Sequence, residues 1–164
     1  MITTPRLMMR PLTVDDATER YLGWFNGAGA TRITATKSTK DVRDLREYIK
    51  ARLSREDVLF LGLFERENGL HIGNLKYEPI LPDGTAVLGI FIGDEDARGK
   101  GYAGEAIAAA NRWLKDVKKF QRVFLGVEVD NFSAIRTYEK LGFIRSESAL
   151  IPESSNIQCM SIEL

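Results

Sequence analysis

The chain contains few of the residues that support redox chemistry or bind metal ions. Its 164 residues include one cysteine and one histidine, which excludes a disulfide framework and a zinc site built from Cys and His ligands. The 23 Lys and Arg side chains balance 23 Asp and Glu, so no global charge attracts nucleic acid or an anionic membrane. Any multiply charged anion bound here must therefore be held by local geometry.

Long apolar runs are missing as well. No apolar stretch approaches the roughly 18 residues that suggest a membrane span, and the N-terminus carries no signal-peptide core. No repeat, low-complexity tract or linker-like segment divides the sequence. We therefore expect a single cytoplasmic domain over residues 1–164, without nucleic-acid or membrane partners.

Hydrophobic periodicity predicts a mixed α/β (α+β) arrangement. The first part of the chain predicts a short strand and two helices, over residues 6–11, 14–25 and 41–53. The middle predicts a meander of three strands, over residues 58–64, 70–77 and 85–92. The last part predicts alternating helices and strands, over residues 101–115, 122–129, 133–141, 143–150 and 157–162. Such an order of elements predicts a mixed sheet with helices packed on it.

A glycine-rich segment lies where the third meander strand leads into the next predicted helix. It spans residues 96–106 and contains Arg98, Gly99, Lys100, Gly101 and Gly104. At a helix N-terminus the unpaired backbone N–H groups and the macrodipole attract anions, and glycine lets a phosphate approach the backbone. The segment therefore predicts a pyrophosphate site, although a glycine-rich turn without a ligand has the same composition.

The same glycines satisfy the G-x-G-x-x-G pattern of dinucleotide-binding folds, and Glu128 lies roughly where a ribose-binding acid would fall. Two features oppose that interpretation. The first glycine follows the predicted strand by about seven residues, whereas the dinucleotide pattern places it in a tight turn directly after the strand. The meander also precedes this unit, whereas a doubly wound fold would open with it. A dinucleotide site is the less favoured alternative.

Two motifs resemble signatures of the GNAT superfamily of N-acetyltransferases. Residues 98–103 resemble its acyl-CoA loop, Arg/Gln-x-x-Gly-x-Gly/Ala, and residues 131–143 resemble its second signature, N-x-x-A-x-x-x-Y-x-x-x-G-F, at every defined position. Residues 4–12 are similar to the branch with ribosomal-protein alanine acetyltransferases, and residues 71–75 to sugar-amine acetyltransferases. The resemblance implies the GNAT fold, a mixed, mostly antiparallel twisted sheet of about six to seven strands with flanking helices.

The resemblance also implies acetyl-CoA as the acetyl donor, and no metal. The CoA pyrophosphate would lie on the backbone of the glycine-rich loop, and the pantetheine arm would add to the edge of the strand at residues 85–92. A backbone N–H there would polarise the thioester carbonyl, while the apolar side chains pack in the core. The implied CoA contacts are Ile90, Phe91, Ile92, Arg98, Gly99, Lys100, Gly101, Tyr102, Ala103, Asn131 and Ala134.

Tyr138 is the general acid that the second signature implies. Asn131, Ala134 and Tyr138 are spaced to lie on one face of a helix, and Asn131 also suits its N-cap. Because an expelled thiolate has a pKa of about 8.5, a phenol with a pKa near 10 can return the proton. The alternative for Tyr138 is a core aromatic with a satisfied hydroxyl.

The general base is harder to assign. Many relatives carry a Glu on the third meander strand where this chain has Val87, which leaves Glu128 as the nearest replacement. Glu78 and Asp94 are poorer candidates, and His71 fits a structural role better. Proton removal through water, without a single base, stays open. The missing Glu also keeps open an acyl-CoA-binding sensor without turnover.

We expect the acceptor to be a primary amine that attacks directly in a ternary complex. Specificity in the resembled fold comes from the N-terminal helices and their connection, which here hold Trp24, Phe25, Asn26 and Arg32. An acidic groove would favour a protein N-terminus on a basic tail, and a basic or aromatic groove an amino sugar on a nucleotide; other small amines stay open. Residues 37–40 are predicted to be solvated loop, and Cys159 and Met160 core. Dimers are common in this fold, so a homodimer is a further expectation.

Overall fold

A computed structural model describes residues 1–26, 39–152 and 154–164. The strands are β1 (Ile2–Thr3), β2 (Leu7–Pro11), β3 (Leu59–Glu65), β4 (His71–Ile80), β5 (Thr85–Ile92), β6 (Arg122–Glu128), β7 (Ile144–Arg145) and β8 (Ile157–Glu163). The helices are α1 (Glu19–Gly23), α2 (Val42–Leu53), α3 (Tyr102–Asp116) and α4 (Phe132–Lys140). Short 3-10 turns lie at Val14–Asp16, Trp24–Asn26 and Glu95–Ala97.

The strands of the described residues form one eight-stranded sheet in the order β1-β2-β3-β4-β5-β6-β8-β7. All neighbouring strands are antiparallel except β5 and β6, which run parallel. The predicted mixed, mostly antiparallel sheet with flanking helices is therefore confirmed. The strand count exceeds the expected six to seven because the two-residue strand β1 was not predicted.

Two predicted elements were wrong in extent. The helix predicted over residues 14–25 is divided, because Asp16 accepts hydrogen bonds from the Thr13 N–H at 2.7 Å and ends a 3-10 turn, and Thr18 then caps α1 separately. The strand predicted over residues 143–150 is reduced to β7. Its continuation is replaced by a local turn in which the Ser148 hydroxyl accepts from the Leu150 N–H at 3.2 Å.

Each face of the sheet carries a hydrophobic core. On one face α3 packs over a core that includes Leu63, Leu75, Leu88 and Ile107. On the other face α1 and α2 cover a core rich in aromatic side chains, among them Tyr21, Trp24, Phe25, Phe60 and Phe64. Cys159 and Met160 are buried, as predicted. None of the helices in the described part of the chain is long and apolar enough to cross a lipid bilayer.

The feature that creates space for a ligand is the parting of β5 and β6. Their parallel pairing runs from Thr85 and Arg122 to Val87 and Phe124. Beyond that point β5 continues to Ile92 and β6 to Glu128, each bonded to the strand on its outer side. The inner edges of two central strands therefore face each other across an opening within the sheet.

Candidate active site

A cleft of about 880 Å³ occupies this opening and extends over one face of the sheet. We divide its lining into two parts. The loop limb contains Ile90, Ile92, Arg98, Gly99, Gly101, Tyr102, Ala103, Glu128, Asn131, Ala134 and Tyr138. The aromatic limb contains Tyr21, Phe25, Tyr48, Phe60, Asn74, Lys76, Gly89 and Phe91. All the predicted site residues line this cleft except Lys100, which is exposed beside it.

The glycine-rich loop presents bare backbone to the cleft. Gly99 and Gly101 have φ values of 72° and 81°, the left-handed region that glycine adopts without strain. A Cβ built on Gly99 would meet nothing within 4 Å, so open space lies against this backbone. Gly101 is the N-cap of α3, whose first-turn N–H groups have no intrahelical partners. The loop therefore fits a phosphate-bearing ligand such as CoA.

The Arg98 side chain turns back onto the end of β5. Its Nε donates to the Ile92 carbonyl at 2.9 Å, and Nη2 donates to the Gly93 carbonyl at 3.3 Å. The guanidinium also lies 5.7 Å from the centre of the Phe91 ring. Arg98 thus fixes the end of the strand beside the loop, while its charge stays close to the cleft.

A second contact to the loop comes from the N-terminus and was not predicted. Arg6 donates through Nη1 to the Lys100 carbonyl at 2.8 Å and through Nε to Glu105 Oε2 at 2.6 Å. The Thr4 hydroxyl donates to Glu105 Oε1 at 2.5 Å, and the Arg6 guanidinium lies over the Tyr102 ring at 4.5 Å. We call Thr4, Arg6 and Glu105 the loop clamp.

The loop clamp also sets the ionisation of Glu105. Burial alone would raise its pKa, but the hydrogen bonds from Thr4 and Arg6 together outweigh that cost and lower the pKa of Glu105 below its ordinary value. The carboxylate is therefore held ionised at neutral pH. In the sequence, residues 4–12 were informative only through their resemblance to one branch of the family. No local pattern indicated that Arg6 reaches the glycine-rich loop.

Tyr138 lies on α4, half-buried, with its ring 5.8 Å from that of Phe143. Burial raises the pKa of Tyr138, so the phenol stays protonated at neutral pH. No hydrogen bond to its hydroxyl is present among the described residues. The Asn131 Oδ1 accepts from the Ala134 N–H at 3.4 Å, the predicted N-cap of α4. The helix therefore holds a protonated phenol at the wall of the cleft.

Glu128 is the candidate base that lines the cleft. It is half-buried at the end of β6, and its carbonyl accepts from the Asn131 N–H at 2.9 Å, which closes the turn into α4. Val87, where relatives often carry Glu, packs against an apolar cluster with Phe124, Ile151 and Cys159. At this position of β5 the chain therefore has no carboxylate that could act as the base.

The remaining titratable candidates are engaged in structural contacts. Glu78 binds Lys76 and two arginines, whose charges overcome burial and lower the pKa of Glu78, so it is a weak base. Asp94 pairs with Arg20 and caps the following turn. The His71 Nε2 is 2.9 Å from Asn74 Oδ1, and burial lowers the pKa of His71. Its ring stacks on Phe64 at 4.7 Å, which is the expected structural role.

The N-terminal aromatic residues divide between packing and the cleft. Phe25 lines the aromatic limb, whereas Trp24 packs against Gly93, where a Cβ would come within 2.0 Å of its ring. Asn26 is exposed. Arg32, Lys37 and Ser38 lie outside the described residues.

The expectation that residues 37–40 are solvated loop was wrong for Thr39. Thr39 is 6% exposed where the chain enters α2, and Lys40 beside it is exposed. The Lys40 N–H donates to the Asp44 side chain at 3.0 Å, which ties this entry to the first turn of the helix.

Sequence reasoning missed the polar part of the aromatic limb. Lys76 and Asn74 alternate along β4, which indicates that they share a sheet face. That alternation alone did not reveal which residues of β5 lie opposite them. Among the described residues, no group of three or more His, Cys, Asp or Glu side chains is arranged to hold a metal ion.

Comparisons with known proteins agree with this geometry. Residues 6–144 match the family model described as an acetyltransferase (GNAT) domain. A search of curated protein sequences found no match. Solved structures that share the fold include an acetyltransferase (GNAT family) from Bacillus anthracis, with a TM-score of 0.80, 17% identity and coverage of 99% of this chain and 97% of that chain.

Two other solved structures share the fold. A dodecameric spermidine N-acetyltransferase from Vibrio cholerae has a TM-score of 0.77 and 20% identity, covering 98% of this chain and 95% of that chain. The microcin C7 self-immunity acetyltransferase MccE, in complex with acetyl-CoA and AMP, has a TM-score of 0.80 and 17% identity, covering 98% and 94%. The family model spans most of the sequence, and the chain therefore belongs to the GNAT acetyltransferase domain family.

Proposed function

We propose that this protein is an acetyl-CoA-dependent N-acetyltransferase that moves acetyl to a primary amine by direct attack within a ternary complex. One observation carries the proposal. The first-turn amides of α3, the inner edge of β5 and the hydroxyl-bearing side chain of Tyr138 all border one cleft. Family membership, and neighbours named for amine acetylation or solved with acetyl-CoA, support it.

The loop limb suits the donor. When bound, acetyl-CoA supplies an acetyl group activated as a thioester. The backbone of Gly99 and Gly101 and the first turn of α3 would hold its pyrophosphate, where helix-end amides stabilise negative charge. The inner edge of β5 at residues 90–92 would hydrogen-bond the pantetheine arm. Ile90 and Ile92 pack into the core, so they keep that edge in place.

Tyr138 would act as the general acid. Its raised pKa keeps the phenol protonated at neutral pH. As the C–S bond of the thioester breaks, the phenol would deliver its proton to the leaving CoA sulfur. Glu128, which also lines the cleft, is the candidate that would take the proton released by the amine, directly or through water.

A thiol-release assay tests the proposal. The protein is incubated with acetyl-CoA and a panel of primary amines, and free CoA thiol is measured with a thiol-reactive dye. We expect release that requires both acetyl-CoA and an amine, with one acetylated amine formed per thiol. If NADH bound and CoA did not, the glycine-rich loop would belong to the dinucleotide alternative.

The apolar surroundings of Val87 favour one competing function, an acyl-CoA-binding sensor without turnover. A sensor and an enzyme share the loop limb but differ in the need for a base. CoA binding measured by calorimetry, combined with no thiol release across neutral, anionic and cationic amines, would establish the sensor.

A further inference from the structure

The floor of the aromatic limb consists of two cross-strand rows on one face of the sheet. Phe60, Lys76 and Gly89 lie opposite one another on β3, β4 and β5. In the next row Asn74 lies opposite Phe91. Because Gly89 has no side chain, the Lys76 stem lies across its backbone, within 3.4 Å of where a Cβ would stand. Lys76 therefore lies along the floor of the cleft.

The Lys76 ammonium belongs to a cluster with a surplus of positive charge. Its Nζ donates to Glu78 Oε2 at 2.8 Å, and two further cations, Arg52 and Arg55, approach the same carboxylate. Arg55 also binds Asp57 at 2.7 Å. Three cations thus share two carboxylates, and an ammonium with three donors keeps capacity for another acceptor.

Aromatic rings enclose the space above Lys76. The Tyr48 ring lies 6.0 Å from that of Phe60, and the Arg52 guanidinium lies over the Tyr48 ring, 3.7 Å from its centre. Among the described residues lining the whole cleft, Glu128 is the one carboxylate, and it belongs to the loop limb. A polycationic amine would meet a cation and no carboxylate in the aromatic limb.

We propose that the amine acceptor carries an anionic group, carboxylate or phosphate, on a ring-containing body, and that Lys76 binds this group while the rings of Tyr48 and Phe60 enclose the body. This inference rests on the proposed function, since it names the acceptor class for the same cleft. It excludes spermidine-like polyamines as preferred acceptors, although a structural neighbour is named for one.

Matched phenethylamines test the charge preference. Tyramine, O-phosphotyramine and 4-(2-aminoethyl)-N,N,N-trimethylanilinium each present a single primary amine on the same ring, with a neutral, anionic or cationic para substituent. We expect kcat/KM for O-phosphotyramine to exceed that for tyramine about tenfold, which corresponds to about 1.4 kcal/mol, and to exceed that for the cationic amine further. Equal values, or a preference for the cationic amine, would overturn the inference.

Lys76→Gln assigns the preference to this side chain. We expect it to reduce the ratio of kcat/KM for O-phosphotyramine over tyramine to near unity. Lys115→Gln, the same change at an exposed position of α3 on the opposite face of the sheet, should leave the ratio unchanged. A ratio that survives Lys76→Gln would remove Lys76 from this role.

Calorimetry separates this inference from the proposed function. O-phosphotyramine and tyramine are titrated into the protein saturated with CoA, in the wild type and in Lys76→Gln. Preferential binding of the phosphate that requires Lys76, without thiol release, would retain the anionic subsite and reject the transferase. Thiol release without any charge preference would retain the transferase and reject the subsite.

Discussion

Tyr138 illustrates how position converts a common side chain into a candidate acid. It is half-buried, so its pKa lies above the ordinary value of 10.0, yet it lines an open cleft. Tyr77 carries the same phenol, but its hydroxyl donates to Asn111 Oδ1 at 2.7 Å inside the core. The two tyrosines therefore differ in what their hydroxyls can reach, and one substitution in each separates chemistry from stability.

Tyr138→Phe should lower kcat about 100-fold, the lower end of what general acid catalysis contributes, with little change in acetyl-CoA affinity. Because the folded pKa is raised, ionisation of Tyr138 should reduce wild-type activity only above pH 10. Steady-state kinetics and CoA titration give both numbers. Unchanged turnover would remove Tyr138 from catalysis.

Tyr77→Phe is the matched control for Tyr138→Phe. It leaves Asn111 Oδ1 buried without its donor, which should lower the free energy of unfolding by about 1–3 kcal/mol in urea denaturation. Since Tyr77 lies outside the cleft lining, kcat should stay within about twofold of the wild-type value.

At the scale of elements, the loop before α3 depends on a strand end and on the N-terminal segment. Arg98 binds the carbonyls at the end of β5, and Arg6 binds the Lys100 carbonyl and Glu105. These contacts hold the backbone amides in place before any ligand arrives. Such preorganisation reduces the conformational entropy that the loop would lose when a ligand binds.

Gly101→Glu should abolish measurable CoA binding, because it adds a carboxylate beside the loop amides proposed to hold the pyrophosphate. The backbone there is left-handed, and a Cβ would stand 3.6 Å from Arg6 Nη2 of the loop clamp. Gly69→Glu is its control. Gly69 has a φ of 71° in the β3–β4 hairpin and open space around it, so it shares the strain but not the site. Calorimetry with CoA compares the two, and retained affinity in Gly101→Glu would contradict the loop assignment.

Glu105→Gln should raise the KM for acetyl-CoA about tenfold with kcat nearly unchanged, because the loop clamp loses its charge and the loop amides lose their support. Its pH signature differs from that of a ligand contact. The folded pKa of Glu105 is lowered, so its contribution to stability is present above its ordinary value of 4.5 and is lost as the pH falls below it.

Thermal unfolding between pH 6 and pH 3 measures that signature. The wild type should lose more stability than Glu105→Gln as the pH falls through this range. Parallel curves for the two proteins would show that the carboxylate contributes nothing to the loop clamp.

At the scale of the whole molecule, local signals predicted much of the architecture. The turn at residues 81–84 and the apolar segment after it predicted β5 with the observed bounds, and motif spacing predicted that Asn131 and Tyr138 share a helix face. The loop clamp could not be predicted in this way, since Arg6 and Glu105 are 99 residues apart. Lys76 could not either, because its position over Gly89 depends on strand register rather than on its neighbours in sequence.

The positions of the charged side chains are more informative than their balanced total. With 23 cationic and 23 anionic side chains, the chain has no net charge that would attract an anion. The cleft nevertheless has helix-end amides at one end and the Lys76 ammonium at the other. The carboxylate beside that ammonium, Glu78, is shared with Arg52 and Arg55 and does not line the cleft. The proposed recognition of anions therefore depends on where the charges lie and not on their total.

Because β5 and β6 separate beyond their short parallel pairing, the facing backbone edges of these two central strands have no neighbouring strand between them. A protein normally protects such open edges, because unpaired backbone attracts other chains. Here the missing strand would be supplied by the pantetheine arm, whose amides are the chemical equivalent of a peptide. The donor would then complete the hydrogen bonding of the sheet, and its concentration would become one of the quantities that set how firmly the protein stays folded.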